Sequence, residues 1–506
     1  MKNVDLLFFE SGGFRTPKTG RVNDSFIADM GLEHIKYLKG FKNAEAYSVF
    51  TEAISHPLTD AGKIKERQDI LKDFTEFPET AQKMKSICDG IRQNKCHSAE
   101  DDPKRRLLEF QSVLYKSMQT SAELAAQLKH RNLCSKSLKD LRDQLDCGEK
   151  IRRVTERIDT LVKLCVNGNI ALNVEYGSAF KFRSAGIYSG ITKKESKENA
   201  IFRIFQSKLP RAETNPGSFY YNENFLVAAE VEGEKGIMPL IAPYAAAVIA
   251  ELNRHILAFC ASLSKQLAFY IACMEIIRFM EGKNIKTVYP DFIPASGVKA
   301  KNLYDFGLLV YKTDSEHLFV ANDIDACGSA VYLISGANQG GKTTFLKSVG
   351  IAQLFAQAGL KVPAEAYECP VFNNFFSHFP KDEDEDLNFG KLAEELTRIK
   401  KDIRLIADNA LVLLNESFAT TTETEGYEIA ADLLRALSRT GSKIFFVTHN
   451  YQLLKKQHEV SKSLSGEIKS LVVSQGGTPA ERTYKIIEGE PSENINAIGF
   501  FGDYFS

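Results

Sequence analysis

Val331-Tyr-Leu-Ile-Ser-Gly336-Ala-Asn-Gln-Gly-Gly341-Lys342-Thr343-Thr344 is the stretch from which the fold can be read. Val331 to Ile334 is β-branched and apolar, the composition of a strand buried on both faces of a parallel sheet. The run breaks at Ser335-Gly336. Gly336 to Thr343 then satisfies the phosphate-binding pattern G-x-x-x-x-G-K-[ST]. Beyond it Phe345, Leu346, Val349, Ala352, Leu354 and Phe355 recur at helical spacing. Strand, glycine loop and helix are the context this motif needs. Glycines let backbone N–H groups turn inward on phosphate oxygens, and the helix N-terminus adds its positive end. The expected ATP-binding set is Gly336, Ala337, Asn338, Gln339, Gly340, Gly341, Lys342, Thr343 and Thr344. Lys342 is expected to reach the β- and γ-phosphates, and Thr343 to hold Mg2+ through its hydroxyl. The bland alternative is a glycine turn that binds nothing, and both flanking elements weigh against it.

Two later runs repeat the strand pattern. Leu411-Val-Leu-Leu-Asn415-Glu416 is an apolar strand with a polar end. In ATPases with this loop such a strand usually ends Asp-Glu, the Asp ordering a metal-bound water and the Glu polarising the attacking water. Asn415 replaces that Asp, offering an oxygen without the charge, so a lower Mg2+ affinity is expected. Ile444-Phe-Phe-Val-Thr448-His449 is a third buried strand. His449 at its end is a candidate γ-phosphate contact, though a lone histidine is as often structural.

The 506 residues carry a net charge of −1, with 44% hydrophobic and 25% charged side chains. That is an ordinary globular balance with room for roughly three domains. It gives no global basic character, so a nucleic-acid surface must be a local patch. The nine cysteines are scattered without a C-x-x-C pair and read as reduced thiols of a cytoplasmic protein. No stretch is read as a membrane span or an export signal.

Residues 1–30 are expected to be a short strand and a Gly/Pro/Asn-rich linker. Helical periodicity begins at Leu32. From Pro103 a long run (Leu107, Phe110, Leu114, Met118, Leu124, Leu128, then Leu138 to Leu161) predicts helices, and Pro243 opens a second that ends near Gly282. Between them, 166–240 is rich in Gly, Ser, Tyr and Asn, with a strand at Ala171 to Tyr176. It gathers Lys193, Lys194, Lys197 and Arg203 among aromatics, either a DNA-phosphate surface or a solvated charged face.

Taken together these motifs resemble the ATPase domain of the MutS mismatch-repair family. Gly336 to Thr344 matches the family's glycine loop, Val362-Pro363-Ala364 a short landmark, and Thr448-His449 its Thr-His pair. Glu395-Leu396 falls where the family has Glu-Met. Asn415 to Gly426 aligns without gaps on the family's Asp-Glu-x-Gly-x-Gly-Thr-Ser-Thr-x-Asp-Gly, with Thr422 at its Ser and Glu425 at its Asp. Phe319-Val320-Ala-Asn322 resembles the strand edge that packs on adenine. The mismatch-reading and connector domains have no counterpart before Leu32, and Phe8-Phe9-Glu10 reads as a strand end rather than the family's wedge. The resemblance implies an α/β P-loop, ABC-like ATPase domain at 301–506. It also implies a mainly α-helical core and lever domain at 31–300, with a small clamp-like insertion at 166–240. It further implies ATP and Mg2+ as cofactors, Glu416, Lys342 and His449 as catalytic residues, and Thr343 with Asn415 on the metal. Thr422 and Gly426 would form a signature acting across a homodimer, and double-stranded DNA would be the partner. Mismatch repair or related DNA repair is the expected role. The rivals are a DNA-structure or recombination clamp and a nucleotide-gated scaffold with weak hydrolysis.

Overall fold

A computed structural model describes residues 5–7, 20–41, 44–92, 103–146, 171–176, 182–188, 238–293, 297–312, 319–380, 390–402, 409–475 and 482–491, with scattered positions between 153 and 162 and at 404 and 406. The chain forms two compact units. One comprises Met1–Val4, Gln82–Leu133 and Leu138–Ser264, and the other Asp5–Ala81, Cys134–Ser137 and Lys265–Ser506. Residues 32–81, expected in the helical domain, belong to the unit that carries the glycine loop.

That unit holds a seven-stranded sheet in the order β1-β9-β10-β11-β7-β12-β13. Its strands are β1 (Arg21–Val22), β7 (Val331–Ser335), β9 (Asn374–His378), β10 (Ala410–Asn415), β11 (Lys443–Val447), β12 (Ile468–Gln475) and β13 (Arg482–Glu488). All neighbours pair parallel except β12 with β13. β7, β10 and β11 are buried at every residue, as continuous apolar runs require in a sheet covered on both faces. A second sheet, β4-β8-β5-β6, is formed by β4 (Asp291–Phe292), β5 (Val298–Leu303), β6 (Asn322–Ala326) and β8 (Ala366–Cys369).

The two-residue β1 lies on β9, and Asn23 extends it. The Asn23 side chain accepts from the Ser377 amide at 2.9 Å and donates to the Ser377 carbonyl at 3.0 Å, imitating a further rung. The helix Lys342–Gln357 packs beneath the sheet. A Cβ on its Gly350 would lie 2.5 Å from Met30 Sδ and 2.7 Å from Leu413 Cδ1, so only glycine admits this close approach. Farther along, Phe355 meets Phe306 at 5.0 Å and Phe50 at 6.5 Å. The buried Gln357 amide is satisfied by the carbonyls of Leu58 and Phe372, each at 2.8 Å, and by the Phe372 N–H at 2.9 Å.

In the other unit, the helix Pro103–Leu128 buries Leu107, Leu114, Leu124 and Leu128, as its spacing predicts. Ser117 donates to Asn253 at 2.7 Å, a polar pair inside this apolar packing. The expected strand is β2 (Ala171–Tyr176), hairpin-paired with β3 (Phe182–Tyr188). The helix Met238–Gly282 runs from this unit into the other. Its portion Ile249–Gly282 is long and apolar enough to cross a membrane, which corrects the sequence expectation. Most of its apolar window is buried inside the protein, and its polar Asn253, Ser264 and Gln266 are buried too, as suits a core helix.

Candidate functional site

The glycine loop, the Asn-Glu end of β10 and the Thr-His end of β11 meet at the carboxyl ends of adjacent parallel strands. Crevices at that end of an open sheet are where α/β proteins seat ligands. The loop's backbone needs its glycines. Gly336 has φ +132° and Gly341 φ +91°, and a Cβ on Gly336 or Gly340 would lie 2.7 or 2.9 Å from the Val473 side chain. Gly341 caps the helix Lys342–Gln357, so that helix's first N–H groups open toward the loop.

Lys342 Nζ donates to the Gly336 and Ala337 carbonyls, each at 2.9 Å, which holds the ammonium over the loop. Burial pushes its pKa down, and the nearby Glu416 charge works against that. Thr343 Oγ1 donates to Asn415 Oδ1 at 3.2 Å. Two neutral oxygens from adjacent elements therefore sit together where a hydrated cation is expected. Left-handed loop backbone, a poised cation and this oxygen pair fit a nucleoside triphosphate with Mg2+. Lys342 and the loop N–H groups would hold the phosphates, with Thr343 and Asn415 on the metal side. A bound divalent cation supplies neutralisation of phosphate charge.

Glu416 follows β10 with φ +50°, uncommon for a residue with a side chain, and its amide donates to the Val447 carbonyl at 2.8 Å. Its Oε1 lies 3.4 Å from His449 Nε2. The histidine holds the Glu416 carboxyl below the ordinary range, burial works against this, and Lys342 adds a smaller lowering. An ionised carboxylate at neutral pH can accept a proton from water. His449 is placed by its neighbours: Thr448 N–H donates to the Ile334 carbonyl at 3.1 Å, and Asn450 caps the helix Tyr451–Lys455.

Thr422 has a local role in its own helix. It is the N-cap of the helix Glu423–Ser438, where Oγ1 accepts from the Glu425 N–H at 3.3 Å. Glu425 accepts in turn from the hydroxyls of Thr421 and Thr422, a reciprocal cap. Gly426 is needed for space: a Cβ there would lie 2.9 Å from the Phe418 carbonyl. The same helix start is tied to the Thr-His loop. Asn450 Nδ2 donates to the Glu423 carbonyl at 2.8 Å, and Gln452 Nε2 to Thr424 Oγ1 at 2.9 Å.

Phe319 and Val320 are half-buried, and Lys283 Nζ lies 5.3 Å from the centre of the Phe319 ring. Asn322 connects this stretch to β13, donating to the Tyr484 carbonyl at 3.3 Å and accepting from Ile486 N–H at 2.7 Å. Lys193, Lys194, Lys197 and Arg203 lie outside the described residues.

Three neighbours were not found from sequence. Tyr484 is 41% exposed with φ +55°, and its Cβ and ring edge lie 3.5 Å from where a Cβ on Gly341 would be. It reaches the loop only because β12 pairs with both β7 and β13. His378 ends β9 and hydrogen-bonds Ser417 Oγ through Nδ1 at 2.8 Å, stacking on Phe418 at 6.5 Å. Glu395, quoted above only as a landmark, accepts from the Phe418 N–H at 2.9 Å, and burial raises its pKa. His378 and Glu395 thus flank the turn that follows Glu416. A polar residue at the end of an apolar strand was the signal available for His378.

Residues 332–495 match the description MutS domain V, and residues 59–282 match the MutS2 N-terminal domain. An endonuclease MutS2 from Bacillus velezensis is 30% identical over 181 residues, 35% of this chain and 22% of that one. A DNA mismatch repair protein MutS from Macrococcus caseolyticus is 28% identical over 216 residues, 40% and 25% of the two chains. An endonuclease MutS2 from Clostridium botulinum is 30% identical over 167 residues, 32% and 20%. The matched stretches span a quarter or less of the length of these relatives. Side by side along the chain, both matched stretches are therefore similar to domains of MutS proteins.

Proposed function

We propose that this chain is an ATP-hydrolysing, DNA-binding protein of the MutS type. It works as a homodimer with sites composed from both subunits, in mismatch repair or a related DNA repair process in the cytoplasm. The observation that carries the reading is the meeting of Lys342, Thr343, Asn415, Glu416 and His449 at the ends of β7, β10 and β11. Lys342 binds the β- and γ-phosphates, Glu416 accepts the proton of the attacking water, and His449 orients Glu416. Thr343 and Asn415 face the metal. Phe319 and Val320 border the base. Thr422, with the N-terminus of its helix, would complete the partner's site. Lys193, Lys194, Lys197 and Arg203 are the proposed contacts to duplex phosphates.

A second reading, a nucleotide-gated scaffold with slow turnover, draws on Asn415, which brings no charge to the metal side. The test is Glu416→Gln measured against Lys342→Ala. Glu416→Gln is expected to bind ATP as the wild type does and to lose turnover, roughly a hundredfold or more for loss of the general base. Lys342→Ala is expected to lose both. A wild-type hydrolysis rate in Glu416→Gln removes Glu416 as the base.

A further inference from the structure

Tyr37, at 69%, and Tyr311, at 67%, are the most exposed large apolar side chains among the described residues. Single exposed apolar residues are ordinary. These two share a third ring. His34 stacks with Tyr37 at 6.1 Å and 21°, and meets Tyr311 at 5.3 Å and 53°.

The backbone explains the arrangement. Leu32–Tyr37 is a 3-10 helix, in which positions i and i+3 eclipse. Leu32 and Ile35 therefore turn inward together and are buried, which leaves His34 and Tyr37 aligned on the outer side. Tyr311 ends the short helix Phe306–Tyr311, whose Phe306, Leu309 and Val310 are buried. One cation lies beside the rings and others are near in the chain or the fold. Lys36 Nζ lies 5.3 Å from the Tyr37 ring centre, and Lys39 follows on the next turn, exposed. Lys347 Nζ and the His34 ring both approach Gly31, at 3.9 and 3.7 Å from its notional Cβ. Glu33 is the acid of the same turn.

We propose that His34, Tyr37 and Tyr311, with Lys36 and Lys39, form a stacking platform for unpaired bases of a single-stranded nucleic acid. These residues are distinct from the nucleotide loop and from the basic stretch assigned to duplex phosphates. Bases stack on exposed aromatic faces without regard to sequence, and flanking lysines meet the phosphates. The rings are already held against one another, so little rotamer freedom is lost on binding. In a duplex each base face is covered by its neighbour, so the platform selects unpaired nucleotides.

The test uses the full chain and fluorescence anisotropy with two labelled oligomers of equal length, oligothymidine and an abasic strand. The wild type is expected to bind oligothymidine about tenfold or more tightly than the abasic strand. Tyr37→Ala with Tyr311→Ala is expected to erase that difference, while Tyr37→Phe with Tyr311→Phe keeps it because the rings remain. Binding of a fluorescent ATP analogue checks that each variant is folded, and ATP turnover, which tests the proposed function, is measured apart. Equal wild-type affinity for the two strands overturns the proposal without any variant. So does an alanine pair that retains the difference. An alanine pair that loses self-association by light scattering, with oligothymidine binding unchanged, overturns it in favour of a contact between copies of this chain.

Discussion

Glu416 sits in the left-handed region, where a side chain costs of order 1–3 kcal/mol, and the Val447 carbonyl holds it there. That turn aims the carboxylate back at His449. The histidine is the largest influence lowering the Glu416 pKa, opposed by burial. A carboxyl held below its ordinary value contributes stability above its unfolded value. The contribution is lost as pH falls through the folded value. His449→Ala removes the largest lowering influence and leaves the burial and the smaller effect of Lys342, so the Glu416 pKa rises. The acid limb of the pH–rate profile is then expected to move to higher pH; an unmoved limb separates His449 from Glu416. Asn415 lies one residue earlier with Thr343 on its oxygen. Asn415→Asp adds a charge that attracts a hydrated divalent cation. The Mg2+ concentration giving half-maximal ATPase rate is expected to fall. An unchanged midpoint in that titration would take Asn415 off the metal side.

At the scale of the element, β11 begins with a buried lysine. Lys443 donates to the Ser329 carbonyl and lies 5.6 Å from the Tyr332 ring, and burial pushes its pKa down to about 8. Between about pH 8 and the unfolded value the folded chain binds fewer protons than the unfolded one, so stability rises with pH there. Lys443→Met has no such dependence. Its thermal midpoint minus that of the wild type is expected to shrink from pH 7 to pH 10, and a constant difference across that range would refute the shift. The strands around Lys443 were legible because each is a contiguous apolar run with its chemistry at the end. β1 was not, because two residues carry no period, and its pairing is fixed by Asn23 and Ser377, far apart in the chain. Tyr484 was hidden for the same kind of reason: the strand order that brings it beside Gly341 is a property of the sheet. The helices were legible from spacing. Which unit residues 32–81 join was not, since an apolar stripe does not name what it packs against.

At the scale of the whole molecule, the Thr422 cap decides how a composite site can be tested. Replacing Thr422 by a residue that cannot cap would cost about 1 kcal/mol and blur the result. Asp caps as well as Thr, and its charge would repel a phosphate supplied by a partner. Thr422→Asp and Lys342→Ala are each expected to be inactive alone. In mixed dimers one site carries both defects and the other none, so turnover should partly return. No recovery in a confirmed dimer would place Thr422 in its own subunit's helix and nowhere else.

The pairing of β1 with β9 bears on how the chain is made. Arg21 meets Asn374 and Val22 meets Phe375, so the first strand leaves the ribosome roughly 350 residues ahead of its neighbour. At ordinary rates of elongation that is a delay of some tens of seconds. Through that interval Phe26 and Met30 have no Gly350 to lie against, and the nascent amino-terminal segment presents its apolar side chains to whatever chaperones attend the growing polypeptide.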